Sequence, residues 1–476
     1  MTENAIPEQF HEYEQNIFDL NKKWLYRAGI VPLYSIKRNP FKMLLYKLFI
    51  LMSYILYFPT LIGQLLALYH FWGQLNILIN GLYNMVACLM CYIIGTYGLF
   101  KKNEITQLFV AFEHEILPKM ANVILNERKI EIFKTASKRA RKITWIVIIV
   151  LDIFAILWIP VPLTNHYLKE RNGTASELDD GKTWIHFCFL IWFPYDIRVT
   201  PYYEIMYLSQ VILFFTACSY LKAVSMSIAS LMVHIAGQFE ILSETLADID
   251  ELLTNTAIQK AAQIQNNQFL HNNIQEMADE LPTSTPKTSN ANLSTVVKPL
   301  SQFESKEENL ELIADSLEQK KCFINIVKYH QSILWFLEDL NRVSGPVILA
   351  SLFSCQFLGC LMIFLMTLEW AQEKNSSNFA RYIFAFICAM SFPISFCWYG
   401  NTVTESANNV RDAIYKIQWN RHTKAFNKDL LLLGEGARKQ VYISGMQFYK
   451  LSLETLREMM STMYSLYTLL HKIYHT

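Results

Sequence analysis

Long apolar stretches separated by polar segments dominate the chain. Six of them approach the roughly 20 residues that an α-helix needs to cross the apolar core of a bilayer. They lie at residues 43–69, 76–100, 143–163, 201–235, 344–368 and 379–399. The pattern therefore predicts an all-α, polytopic membrane protein with six spans before residue 400.

The chain ends in LETLREMMSTMYSLYTLLHKIYHT, Leu453 to Thr476, which contains neither Pro nor Gly. This stretch is too polar for full exposure to lipid and too apolar to lie alone in water. Because an α-helix rises roughly 1.5 Å per residue, residues 441–474 are long enough for an approach and a seventh crossing.

Lys and Arg are unevenly distributed between the spans. Seven precede or open the first span, ten lie in 101–142 and seven in 400–440, whereas 70–80 has none. Since basic loops stay in the cytoplasm, we expect the N-terminus inside and, after seven crossings, the C-terminus outside. Asn172 and Asn375 begin sequons in the predicted outer loops and are the predicted glycosylation sites.

The polar segments divide the chain into six regions. Between the fourth and fifth spans, a middle part rich in Asn, Gln, Ser and Thr predicts disorder, whereas its apolar-faced ends predict cytoplasmic helices that pack together. Gly434 and Gly436 are expected to break the helix that follows the sixth span. The predicted regions are a cytoplasmic N-terminal segment (1–42), spans one to four (43–236), cytoplasmic extensions (237–343) with a disordered loop at about 252–310, spans five and six (344–399), a cytoplasmic anchor helix (400–445) and the final helix (446–476).

Composition agrees with a membrane protein: 52% of the residues are apolar and 14% aromatic. The basic residues do not gather into one strongly basic domain, so nucleic acid is not expected as a partner. Nine cysteines fall mostly inside apolar runs, where a thiol packs as a small hydrophobe. No catalytic, phosphate-binding or metal-binding motif is present, which argues against an enzyme and predicts no cofactor.

One face of the final stretch is polar. Ser461, Ser465, Thr468 and Lys472 follow at helical spacings of four, three and four. Such a face must be covered by protein or by water. Spacing alone leaves two interpretations open: hydrogen bonds between packed helices, or the lining of a pore to which several chains contribute.

Polar and aromatic residues inside other spans also allow two interpretations. Asp152 and Lys222 are costly in lipid, and a structural pair or a hydrated position explains them better than titration during transport. Aromatic residues crowd one half of several spans, and they form either an interfacial belt with core packing or a pocket for a small apolar ligand.

Two C-terminal segments resemble a known family. CWYGNTVTESANNVRDAIYKIQW, Cys397 to Trp419, and FYKLSLETLREMMSTMYSLYTLLHKIY, Phe448 to Tyr474, resemble the C-terminal signature of insect odorant receptors. Several separated motifs occur in the right order and at the right distance from the end. The close match covers about 80 residues, and the predicted spans and cytoplasmic helices agree with the family over the rest of the chain.

The resemblance implies a ligand-gated, non-selective cation channel in the plasma membrane, by analogy that of a sensory dendrite. Four subunits would surround a pore lined by the last helix and meet mainly through their cytoplasmic helices. The implied pore residues are Ser461, Ser465, Thr468, Leu469 as the apolar gate, and Lys472. A lysine departs from what a cation pathway prefers, since its ammonium repels cations. The alternative is that the Lys472 side chain extends outward to the interface.

The resemblance also implies a pocket for a small volatile ligand in the outer membrane half, among the second, third, fourth and sixth spans. Residues at the matching depth are Cys88, Cys91, Tyr92, Leu151, Phe154, Trp158, Ser209, Leu213, Tyr382 and Phe386. Apolar contacts with few directional hydrogen bonds would permit broad ligand choice.

Alternatives remain at this point. The long fourth-to-fifth connection resembles the family's shared co-receptor, and the tail resembles its tuning subunits, so both a homotetramer and a heterotetramer with a co-receptor stay open. Seven spans also suggest a G-protein-coupled receptor, but the inside N-terminus and the absence of DRY-like and NPxxY motifs oppose it. A secondary transporter would show broken helices and internal repeats, which the sequence lacks.

Overall fold

The computed structural model describes residues 17–32, 36, 38–123, 127–171, 187–194, 200–250, 301–371 and 376–475. Both predicted glycosylation sites, Asn172 and Asn375, lie outside these residues, as does most of the predicted disordered loop.

Helices make up almost all of the described structure. They are α1 (Asp19–Arg27), α2 (Pro40–His70), α3 (Leu75–Phe100), α4 (Lys102–Ala111) with a π-helical turn (Phe112–Ile116), α5 (Leu117–Ala121), α6 (Glu127–Trp158), α7 (Pro160–Arg171), α8 (Tyr202–Ala247), α9 (Ser301–Ala371), α10 (Ser376–Lys416), a 3-10 turn (Trp419–Arg421), α11 (Lys424–Arg438) and α12 (Leu453–His475). Strands β1 (Ser444–Gly445) and β2 (Tyr449–Lys450) form an antiparallel hairpin before α12.

Short polar side chains stabilise the first turn of several helices. The Asn39 side chain accepts the backbone N–H groups of Phe41 and Lys42 at the start of α2, and Thr423 accepts that of Phe426 in α11. The Ser452 hydroxyl accepts the Thr455 N–H group before α12. Each such cap satisfies a backbone donor that the helix itself leaves without a partner.

Six helical segments of the described chain are long and apolar enough to cross a membrane. They coincide with the six stretches that hydropathy predicts, with the third running from α6 into α7. The prediction of an all-α, polytopic membrane protein is confirmed. Helices α8, α9 and α10 continue well beyond their apolar spans, as expected of helical extensions.

Helix α8 forms the centre of the bundle. Its most apolar window is 78% buried, whereas that of α2 is 28% buried. Helix α8 carries small and apolar residues on all its sides, and it therefore packs against α3, α6 and α10 at once. Helix α2 instead presents large apolar side chains outward, where a bilayer would cover them.

Two features differ from the sequence pattern. Helix α11 runs through Gly434 and Gly436, and the α-helical structure is interrupted at residues 417–423 instead, around the 3-10 turn. Glycine in a helix interior costs only about 1 kcal/mol, which the burial of Phe426, Leu430 and Leu433 on one face offsets. Helix α9 begins at Ser301, so the last residues of the segment predicted to be disordered are helical.

Candidate functional site

A cavity of about 100 Å³ lies inside the bundle, between α3, α6, α8, α9 and α10. Five of the ten residues predicted for a ligand pocket line it: Cys88, Cys91, Leu151, Phe154 and Trp158. Helices α3 and α6, which carry these five residues, both pack against α8, and this packing brings the residues to one cavity. Whether they bind a ligand stays a prediction.

The other five predicted residues lie outside the cavity wall. Tyr92 stacks on Tyr57 with ring centroids 4.0 Å apart, and the Tyr382 hydroxyl accepts a hydrogen bond from Asn80 at 3.3 Å. The Ser209 hydroxyl donates to the Met206 carbonyl oxygen at 2.7 Å, and Leu213 and Phe386 pack within the core. Depth alone cannot select a face, because adjacent helical residues point about 100° apart.

Sequence reasoning missed the contribution of the fifth span and of one loop. Helix α9 lines the cavity with Cys355, Leu358 and Met362, whose spacings of three and four mark one helical face. That spacing is visible in the sequence. Phe189 comes from the segment at 187–194, and no periodic pattern could have predicted its place.

Trp158 lines the cavity and is almost fully buried. Its indole N–H donates to the Cys188 carbonyl oxygen at 3.0 Å, which ties α6 to the segment at 187–194. The Arg381 guanidinium lies 4.3 Å from the centre of the indole, and the Phe154 ring is 5.3 Å away. A hydrogen bond, a cation–π contact and ring packing therefore hold this side chain in place.

The wall offers few polar groups to a ligand. Asn84 is a polar wall residue, and its amide nitrogen donates to the backbone and side-chain oxygens of Asn80 at 2.9 and 2.8 Å. With the Trp158 N–H also engaged, these strong donors of the wall already have acceptors within the chain. The cavity is therefore suited to an apolar molecule recognised by shape and contact.

Helix α12 packs against α9 and α10 through two glycines. A Cβ atom at Gly359 would lie 2.5 Å from the Met463 sulfur, and one at Gly400 would lie 2.3 Å from the Leu451 Cβ atom just before α12. Met459 and Met463 form the buried side of α12. Gly400 therefore allows a close approach that a larger residue would prevent, whereas a larger residue at Gly359 would require the flexible end of the Met463 side chain to move.

The opposite side of α12 is exposed in the single chain, and all five predicted pore residues lie on it or at its edge: Ser461, Ser465, Thr468, Leu469 and Lys472. The Ser465 hydroxyl donates to the Ser461 carbonyl oxygen, and the Thr468 hydroxyl donates to that of Ser465. These two hydroxyls bond within their own helix, so they do not attach α12 to another helix of the same chain. That observation argues only against hydrogen bonding between helices of one chain as the role of these two hydroxyls, and the pore lining stays a prediction.

The hairpin before α12 is fixed to α9. Asn341 donates to the Tyr442 carbonyl oxygen at 2.9 Å, and its side-chain oxygen accepts the Ser444 N–H group at 3.0 Å. Met446 and Gln447 in the turn have positive φ angles of 51° and 66°. Because non-glycine residues adopt such angles at a cost, the surrounding contacts must hold the turn in this shape.

Asp152 and Lys222 form an ion pair between α6 and α8, in agreement with a structural pairing. The Lys222 side chain is buried, with its ammonium nitrogen 5.2 Å from the centre of the Trp24 ring. Asp152 is about half exposed on the outer surface of the single chain. Pairing lowers the cost of placing both charges within membrane-spanning helices.

The chain is similar in sequence to known odorant receptors. The model of the family described as 7tm Odorant receptor matches residues 74–464. Odorant receptor Or2 of Anopheles gambiae is 28% identical over 158 residues, which are 33% of this chain and 40% of that receptor. Odorant receptor 83a of Drosophila melanogaster is 20% identical over 297 residues, 59% of each chain. The matched part thus spans less than two-thirds of each of these relatives.

A solved structure has the same fold over nearly the whole length. The insect olfactory receptor OR5 from Machilis hrabei in complex with eugenol superposes with a TM-score of 0.68 and 13% identity, covering 98% of this chain and 99% of that one. A second structure of the insect olfactory receptor OR5 from Machilis hrabei superposes with a TM-score of 0.66 and 13% identity, covering 96% of this chain and 100% of that one. At this identity the likeness concerns the fold.

Proposed function

From the premise that this chain belongs to the 7tm odorant receptor family, a family of receptors and not of enzymes, we propose that it is an odorant-gated, non-selective cation channel. A small volatile ligand would bind in the cavity between α3, α6, α8, α9 and α10 and open a central pore. The exposed polar side of α12 is the observation that carries this proposal. The chain is a multi-pass membrane protein, and we place it in the plasma membrane.

The ligand site rests on the size and lining of the cavity. A dry apolar cavity of about 150 Å³ can bind benzene in another protein, so about 100 Å³ is the scale of a compact molecule after small side-chain shifts. The receptor OR5 from Machilis hrabei was solved with eugenol, a small organic molecule. We extend a ligand of that size class to this chain.

The proposal of a central pore is based on symmetry. One polar helical side cannot enclose a channel, whereas four copies around an axis place four such sides toward a common centre. In this arrangement α12 is the seventh crossing, with the N-terminus in the cytoplasm and the C-terminus outside. Asn172 and Asn375 then lie outside, as predicted glycosylation sites.

Assembly rests on apolar side chains that the single chain leaves exposed beyond the spans. Trp335 of α9 is 64% exposed, and Tyr415, Leu431 and Leu432 are exposed on α10 and α11. Apolar groups of this size in a cytoplasmic region mark contact surfaces. We assign this surface to contacts between subunits of a homotetramer or of a heterotetramer with a co-receptor.

Electrical recording tests the function. We expect cells expressing the chain, alone or with a co-receptor, to carry ligand-evoked cation currents when a panel of volatile compounds is applied. In excised patches without nucleotides, the current should persist, because ligand and pore belong to one assembly. A G-protein-coupled receptor would lose its response in such patches, and silence in both subunit combinations would contradict the proposal.

Leu469→Ala should produce a standing leak current several-fold above that of the native channel. Leu469 is 57% exposed and apolar, and four copies would form a constriction that closes by excluding water. Whole-cell current without ligand, divided by surface expression, measures the effect.

Met460→Ala is the matched control, since Met460 is 44% exposed but lies nine residues away, on the opposite side of the helix. Equal leak in both variants, or none in Leu469→Ala, would remove Leu469 as the constriction.

A further inference from the structure

The cavity wall is rich in sulfur. Five of the nine cysteines in the chain line it, with two methionines beside them. The cysteines come from four helices: Cys88, Cys91, Cys218, Cys355 and Cys388. A ligand in the cavity is therefore surrounded by thiols from several directions.

These thiols behave as soft apolar groups. All five are free, and within the described part of the chain no three His, Cys, Asp or Glu side chains are placed to hold a metal ion. The Cys388 thiol donates to the Val150 carbonyl oxygen, with 3.8 Å between sulfur and oxygen. Its sulfur remains available to the cavity as a polarizable surface.

Aromatic rings occupy much of the remaining wall. Tyr83, Phe154, Phe189, Phe214 and Phe392 line the cavity together with Trp158. Sulfur atoms and aromatic edges both interact more favourably with a π-system than with a saturated ring, because polarizability and the ring quadrupole contribute. Asn84 and Trp158 use their donors within the chain, and the Tyr83 hydroxyl is a further polar group of the wall, so contacts with sulfur and aromatic rings, together with shape, contribute most of the surface that a ligand meets.

We propose that the cavity selects a single-ring aromatic ligand over a saturated ring of the same shape, and that the wall thiols contribute to this preference. The inference rests on the cavity being the ligand site of the proposed function. A single sulfur–aromatic contact changes affinity by about two- to tenfold. The native protein should therefore bind an aromatic compound at least several-fold more tightly than its saturated counterpart.

Anisole and methoxycyclohexane test this preference as a matched pair. Ligand-induced stabilisation of the purified full-length protein against heat reports affinity without requiring channel opening. We expect anisole to stabilise the native protein at lower concentration. In Cys91→Ala and in Cys355→Ala, the anisole-to-methoxycyclohexane affinity ratio should fall by about two- to tenfold.

The ratio separates polarizability from volume, because a wider cavity affects both rings. Cys360→Ala is the control, because Cys360 is buried in α9 five residues after Cys355 but does not line the cavity. The affinity ratio of this variant should equal that of the native protein. Equal affinity for the two compounds, binding of neither, or an unchanged ratio in both wall variants would overturn the inference. An aromatic preference without any ligand-evoked current would instead contradict the channel function and leave the inference intact.

Discussion

Gly400→Ala is expected to abolish ligand-evoked current, because it separates α10 from the start of the pore helix. A Cβ atom at Gly400 would lie 2.3 Å from the Leu451 Cβ atom and 3.1 Å from the Leu451 carbonyl oxygen. Leu451 is fully buried, and its N–H group donates to the Ile443 carbonyl oxygen at 2.9 Å. Backbone must therefore move, at a cost of roughly 1–3 kcal/mol or more.

Gly436→Ala provides the control for this substitution. Gly436 also lies inside a helix, but a Cβ atom there would meet no atom within 4 Å. Alanine should leave current unchanged and stabilise α11 by about 0.5–1 kcal/mol. Ligand-evoked current divided by surface expression measures the first effect, and thermal unfolding measures the second. Native currents in Gly400→Ala would show that the contact between Gly400 and Leu451 does not position α12.

Trp158→Ala should lower the free energy of unfolding by about 3–5 kcal/mol. It should also raise the ligand concentration needed for a half-maximal current at least tenfold. The substitution removes a large ring from the cavity wall, the hydrogen bond to the Cys188 carbonyl oxygen and the cation–π contact with Arg381. Trp158→Phe keeps an aromatic ring but no N–H donor, so we expect a smaller loss, near 1 kcal/mol for the hydrogen bond. Dose–response curves and thermal unfolding measure the series.

Trp145→Ala separates a local effect from a general loss of tryptophan. Trp145 lies on the same helix, α6, but is half-exposed on its outer side. This variant should retain the native dose response. If Trp158→Ala assembles at the surface and responds at native concentrations, Trp158 does not belong to the ligand site.

The C-terminal motifs show how far a sequence can lead. YGN, here Tyr399 to Asn401, contributed to the family resemblance, which the family match confirms. The motif carries no hint of its physical role, because a glycine inside a helix has many possible reasons. Only the packing shows that Gly400 is required by Leu451, more than 50 positions later in the chain.

The candidate pocket shows the opposite limit. Ten residues were predicted for the pocket from their depth along the spans, and five of them line the cavity. Depth does not tell which side of a helix a residue occupies. Cys91 lines the cavity, whereas its neighbour Tyr92 packs against Tyr57. The face of a helix enclosed by other helices has no amphipathic signal, because both sides of such a helix are apolar.

The sequence by itself determined the all-α membrane class, the positions of six spans and the polar side of the last helix. Each of these depends on the length and hydropathy of one continuous segment, which the thickness of the bilayer sets. The tertiary structure alone decided which thiols and rings surround the cavity, where the fifth span contributes, and how Gly359 and Gly400 admit α12. These features depend on contacts between segments far apart in the chain, and such contacts are set by the packing of whole helices.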